Sequence, residues 1–191
     1  AVEVSMPSLK YAVPAYYLIS SAEASSNLSR YDGIKYGYRA QNGEDYNDLI
    51  RRTRDEGFGT EVKRRILLGT YALASGYYDA NYKKALYLKG KIREEYNAIF
   101  DQCDVMITPT APSTALGFDE GISDPAKMYL ADICTVTVNI AGLPAISTPC
   151  GYDKNGMPIG MSVVGRAFDE ARLIQVADAF EQGFERKTPT L

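Results

Sequence analysis

The sequence contains no histidine at all. That absence removes any Ser-His-Asp or Cys-His mechanism and leaves no good ligand set for zinc. Neither a GxGxxG segment nor a GxxxxGK run followed by serine or threonine occurs, so dinucleotide and P-loop phosphate binding have no support. Cysteine is scarce and odd in number. Cys103, Cys134 and Cys150 lie far apart without a CxxC pair, which suits a reducing compartment better than a disulfide framework. No apolar run reaches membrane-spanning length and no charged-then-apolar signal segment stands at the N-terminus, so a cytoplasmic location is expected. Charge of one sign is also lacking. A net charge of −3 gives no broad footprint for nucleic acid, and any RNA contact must be local or supplied by a partner.

What is present suits an ordinary folded protein. With 191 residues, 46% of them hydrophobic and 24% charged, the chain is long enough for one domain, 1–191, with a substantial core. Val2 to Met6 alternates like a strand but starts without a cap or turn, so Ala1 is expected to be a cut in something longer.

The densest stretch is Lys10 to Arg30, KYAVPAYYLISSAEASSNLSR. Pro14 suits the first turn of a helix, where its missing N–H would be unpaired anyway. From Ala15 to Ala24 the residues are good or tolerable helix formers, and Ser25, Ser26, Asn27 and Ser29 favour caps and local side-chain bonds. A short helix running into a serine-rich end is therefore expected. In the glycine-punctuated loop that follows, Tyr31, Tyr36 and Tyr38 alternate with Arg30, Lys35 and Arg39. Such interleaving can stack on bases, although a β-like loop packed on its own domain is the favoured reading.

Tyr46 to Glu56 reads as an amphipathic helix closed by Gly57 and Gly59, and Thr60 as the cap of a second. At 100° per residue, Val62, Ile66, Leu73 and Tyr77 form the expected core stripe of this second helix. The neighbouring ridge of Arg65, Gly69, Ala72 and Gly76 is nearly free of side chain beyond the arginine, so another backbone or a ligand can approach it. Tyr78 to Phe100 reads as one long helix packed through Tyr78, Tyr82, Ala85, Lys89, Ile92, Tyr96 and Ile99.

Asp104 to Pro109 is a short strand, stopped by the prolines of PTAP. Asp124-Pro125 starts a helix running through MYLADI. The second half of Thr135 to Cys150 is β-like, Met157 to Gly165 is another strand, and Asn155-Gly156 between them signals a hairpin. Phe168 to Gly183 closes with an amphipathic helix showing Leu173, Val176, Ala177 and Phe180 on one face. Together these elements indicate an α/β sheet covered by helices.

Two stretches, EASSNLSRYDGIKYGYR at Glu23 to Arg39 and RDEGFGTEVKRRILLGTYALASGYYDANY at Arg54 to Tyr82, resemble the C-terminal part of amidase-signature enzymes. The likeness covers nearly the whole chain and is closest to the glutaminase subunits of tRNA-dependent amidotransferases. It implies the C-terminal portion of the amidase-signature fold, a mixed β-sheet core covered by α-helices. Enzymes of this family use a serine nucleophile in a Gly-Ser-rich segment, a second serine and a relay lysine. No such segment occurs here, and Ser20-Ser21 and Ser25-Ser26 lack glycine neighbours. The resemblance therefore assigns no catalytic residue to this chain, places the nucleophile in a missing N-terminal half, and implies that the chain alone is inactive.

The resemblance also implies a substrate-binding set for glutamine. Its carboxylate suits an arginine and its ammonium an acidic group, and by motif the set falls on Tyr16 in VPAYYLI, Arg65 in VKRRILLG and Asp132 in MYLADI. Implied partners are glutamine, the amidotransferase subunits B and C, and Glu-tRNA(Gln) reached through the complex. No metal or cofactor is implied in this chain, ATP and Mg being expected on a partner subunit. A piece of a stand-alone amidase, or a non-catalytic module packing on partner subunits, are the alternative readings.

Overall fold

The computed structural model describes residues 1–117, 131–185 and 187. The chain divides into two compact units, one made of residues 14–87 and the other of 1–13 with 88–191. The helix expected through MYLADI begins in residues 118–130 and so lies mostly outside the described residues.

The first unit is helical. Helix α1, Ala12–Leu28, is longer than its sequence predicts and continues through the serines. The reason is tertiary. Helix α3, Thr60–Leu73, brings Gly69 so close that an added Cβ would stand 2.0 Å from the Ser21 carbonyl oxygen and 2.7 Å from Ser25 Cβ. Small serines are what this contact requires, and Ser25 and Thr70 share a hydroxyl hydrogen bond of 3.0 Å. Packing thus overrides weak helix propensity.

The same contact corrects the expected face of α3. Gly69 and Ala72 are buried, while Leu73 and Tyr77 are exposed. The ridge packs through Gly69 and Ala72, while the stripe of large residues is half-buried at Val62 and Ile66 and exposed at Leu73 and Tyr77. Thr60 is the first helical residue rather than the cap, a place taken by Gly59. Helix α2, Tyr46–Gly57, is capped by Asp45, which accepts from the Asp48 N–H at 2.8 Å.

Between α1 and α2 the tyrosine-rich loop forms successive turns rather than a strand, with Gly33 and Gly37 at positive φ. It is tied down by the buried Thr53, whose hydroxyl accepts from the Ala40 N–H at 3.1 Å. After α3 the chain does not enter one uninterrupted helix. A wider turn over Tyr78–Tyr82, setting those two rings 5.3 Å apart, precedes helix α4, Lys83–Phe100.

The second unit holds the sheet. Val2 to Met6 forms no strand and leads instead into a tight helical turn over Pro7–Tyr11. Strands β1 (Met106–Pro109), β2 (Ala145–Tyr152) and β3 (Pro158–Val164) pair antiparallel in the order β1-β3-β2. Met106 and Ala145 both face Val164 in register. Asn155-Gly156 makes the hairpin as expected, with Gly156 at φ +80 and the Asp153 carboxylate accepting from the Asn155 and Met157 N–H groups.

A short helix α5, Val136–Ala141, precedes β2 and ends at Gly142 in the left-handed region. Helix α6, Glu170–Gln182, packs on β2 and β3, with Leu173 against Gly165. The core of this unit comprises Ile92, Tyr96, Ile99 and Phe100 of α4, Val136, Val163, Val164, Leu173 and Ala177. Ile92, Tyr96 and Ile99 are among the residues that the periodicity of α4 selected, Phe100 is added, and Lys89, expected on the same face, is exposed. Among the described residues, no helix is long and apolar enough to cross a membrane.

Candidate functional site

Tyr16 and Arg65 belong to the first unit, on α1 and α3, the two helices joined at Gly69. Ring stacking orients the tyrosines: Tyr16 and Tyr17 meet edge to face with centroids 5.3 Å apart. The Arg65 guanidinium stands over the Tyr17 ring, 5.7 Å from its centroid. Its Nε donates to Glu61 at 3.1 Å, one helical turn earlier. The Glu61 carboxylate raises the Arg65 pKa above its ordinary value, partial burial works against this, and Tyr17 and Tyr16 add smaller upward contributions.

Two further features give this arrangement chemical content. Arg65 spends only Nε, and its two terminal nitrogens have no acceptor among the described residues. Likewise the Tyr16 hydroxyl makes no hydrogen bond among those residues. A planar fork of N–H donors, always charged and held half-buried against aromatic rings, is suited to a carboxylate. Arg64 differs. It donates Nη1 to the other oxygen of Glu61 at 2.6 Å, and its side chain is 56% exposed against 37% for Arg65.

Neither Tyr17 nor Glu61 was among the site residues expected from the sequence. Glu61 carried a signal, since a carboxylate four residues before an arginine on a helix is placed to hold it.

Asp132 lies in the second unit, where it opens a short helical turn, Asp132–Cys134, just before α5. It is half-buried, and its backbone carbonyl accepts from the N–H and hydroxyl of Thr135 at 2.9 and 3.1 Å.

The serine pairs are built into helix packing. Ser21 is fully buried, with a hydroxyl that has no partner among the described residues, and Ser20 bonds back to the Tyr17 carbonyl at 3.5 Å. None of these hydroxyls is bonded to a lysine among the described residues. Again among the described residues, no three His, Cys, Asp or Glu side chains stand together as a metal site would need.

The fold is that of the α/β amidases. A crystal structure of an amidase superposes over 96% of this chain and 37% of its own, with a TM-score of 0.69 at 19% identity, which speaks for the fold alone. The chain belongs to the Amidase family, whose model matches residues 1–174. It is similar to the A subunit of glutamyl-tRNA(Gln) amidotransferase from Brevibacillus brevis, 60% identical over 189 residues, covering 98% of this chain and 39% of that protein. The corresponding protein of Ruminiclostridium cellulolyticum is 61% identical over 185 residues, 97% of this chain and 38% of that one. The crystal structure of its Thermotoga maritima counterpart matches with a TM-score of 0.68 at 38% identity, over 97% of this chain and 35% of its own. The chain thus spans about two fifths of the length of the curated relatives it matches.

Proposed function

We propose that this chain supplies the substrate-recognition part of the glutaminase subunit of a tRNA-dependent amidotransferase. The observation that carries the reading is the Arg65 fork held over the Tyr17 ring, next to Tyr16, with both terminal nitrogens unspent among the described residues. Glutamine differs from a simple amide by its α-carboxylate and α-ammonium. Arg65 receives the carboxylate and the Tyr16 hydroxyl contributes a neighbouring hydrogen bond; the ammonium is assigned to Asp132 by its motif alone.

The serine nucleophile that opens the amide comes from residues outside this chain, so the chain alone releases no ammonia. In the assembled enzyme the ammonia passes to a partner, the B subunit, which uses ATP and Mg to activate Glu-tRNA(Gln). The small C subunit completes the complex.

The test compares glutamine with a plain aliphatic amide as substrates of the whole subunit carrying Arg65→Lys. Lysine keeps the charge and loses the planar fork. The reading expects a raised KM for glutamine and an unchanged KM for the plain amide. Equal losses on both substrates would assign Arg65 to folding instead, and ammonia release by the 191-residue chain alone would overturn the placement of the nucleophile.

A further inference from the structure

Helices α2 and α3 flank a cavity of about 510 Å³ within the first unit. Its lining is mixed. Phe58, Ile66 and Leu67 supply apolar surface, Arg51, Arg54 and Lys63 bring three cations, and Asp55 adds one carboxylate. Pockets of this size, mostly apolar with a few placed charges, are the usual form of small-molecule sites.

Arg54 decides what such a site would take. Its Nη1 donates to the backbone carbonyls of Leu28 and Tyr31, at 2.9 and 3.2 Å. These bonds fix the guanidinium at the end of α1 without neutralising it, because both acceptors are uncharged. Its face lies over the Phe58 ring, 5.0 Å from the centroid. Nε and Nη2 have no acceptor among the described residues, and no carboxylate among them pairs with Arg54. A half-buried, immobilised guanidinium with no carboxylate partner among the described residues, offset only by the partial charge of a helix C-terminus, is arranged to receive an anion.

The flanking cations add to this field. Arg51 pairs with Asp48 at 2.7 Å, and Lys63 pairs with Asp55 at 2.5 Å. Among the described residues, Asp55 is the one carboxylate lining the cavity; it is 75% exposed, and the Lys63 ammonium lowers its pKa. Exposed pairs of this kind are weak and exchange readily, so Lys63 can turn to a bound anion. At the mouth, the Leu67 side chain is 72% exposed, which leaves apolar surface for a ligand body to cover.

We infer that this cavity is a binding site for an organic anion, a carboxylate, sulfonate or phosphate head on an aromatic body of one to three rings. The head is held by Arg54 with Lys63 and Arg51, and the body lies against Phe58, Ile66 and Leu67. This site uses neither Tyr16 nor Arg65 and does not depend on the glutamine reading.

The probe is 8-anilinonaphthalene-1-sulfonate, titrated by fluorescence into the whole subunit and into two variants of it that leave the Arg54 clip untouched. Leu67→Glu sets a carboxylate at the mouth, and Lys63→Met removes one cation. The expected result is one saturable site, weakened at least about tenfold by Leu67→Glu and about threefold by Lys63→Met. Excess benzoate should compete and excess acetate should not, because the head needs its body. Superimposable titrations for the parent subunit and both variants would overturn the inference, as would binding only to several unsaturable sites.

Discussion

Gly69 on α3 and Ser21 on α1 meet backbone to backbone, with no room for even one additional carbon between them. The obstacle is a helix carbonyl rather than the tip of a flexible side chain, so relief requires the helices to part. Gly69→Ala should therefore destabilise the first unit. Overpacking of this kind costs about 1–3 kcal/mol, against a gain of about 1 kcal/mol in helix propensity. Denaturant unfolding should show a net loss. Because Tyr16 and Arg65 ride on these same helices, the variant of the whole subunit should also bind glutamine less tightly.

Asp48 gathers the start of α2. It accepts from Arg51 and Arg52 at 2.7 and 2.6 Å and from the Glu44 N–H at 3.2 Å, and these bonds lower its pKa to about 2. The unfolded carboxyl titrates at about 3.9, so folding releases a proton between the two values. The resulting stability is fully present above the unfolded pKa and is lost as pH falls toward the folded one. Unfolding midpoints measured from about pH 6 down to about pH 2 should decline through that window. Asp48→Asn should be less stable at neutral pH and should lose less than the parent on acidification.

How much of this could be read from sequence varies from element to element, for physical reasons. The Asn155-Gly156 hairpin and the buried face of α4 were legible because turn chemistry and helical periodicity are local properties. The packing face of α3 was not. Val62, Ile66, Leu73 and Tyr77 recur correctly for a core stripe, yet burial is decided by what lies opposite. Here α1 offers small serines that let the Gly69 backbone approach closely and Thr70 bond to Ser25. The end of α1 was misplaced for the same reason. At the candidate site, Tyr16, Arg65 and Asp132 came from resemblance to amidase-signature enzymes. The setting of Arg65, between Glu61 and Tyr17, emerged from the geometry.

Arg64 and Arg65 share one carboxylate, Glu61, yet their substitutions should have different consequences. Arg64 is the more exposed and its pair is of the surface kind, worth at most about 1 kcal/mol. Arg64→Ala should leave both stability and glutamine binding near their original values. Arg65→Ala in the whole subunit should cost about 2–5 kcal/mol of glutamine affinity if the carboxylate is held out of water. Calorimetric titration of both variants with glutamine makes the comparison. Equal affinities would show that the fork of Arg65 is not used.

Tyr96 is buried in the second unit and shares a 2.9 Å hydroxyl hydrogen bond with the buried Thr137. Burial raises its pKa above the ordinary 10.0, and the bond to Thr137 offsets this in part. Removing one hydroxyl strands the other, so Tyr96→Phe should destabilise by about 1–3 kcal/mol. Adding Thr137→Val removes the stranded group and should recover part of the loss, a coupling that a double-mutant cycle measures. Alkali provides an independent check. The fold favours the protonated phenol, so its contribution is complete below the unfolded pKa and fades as pH climbs through it toward the raised folded value. The advantage of the parent over Tyr96→Phe should therefore narrow above about pH 10. A constant difference across that range would mean that the phenol ionises as easily inside the protein as in water, contrary to its burial.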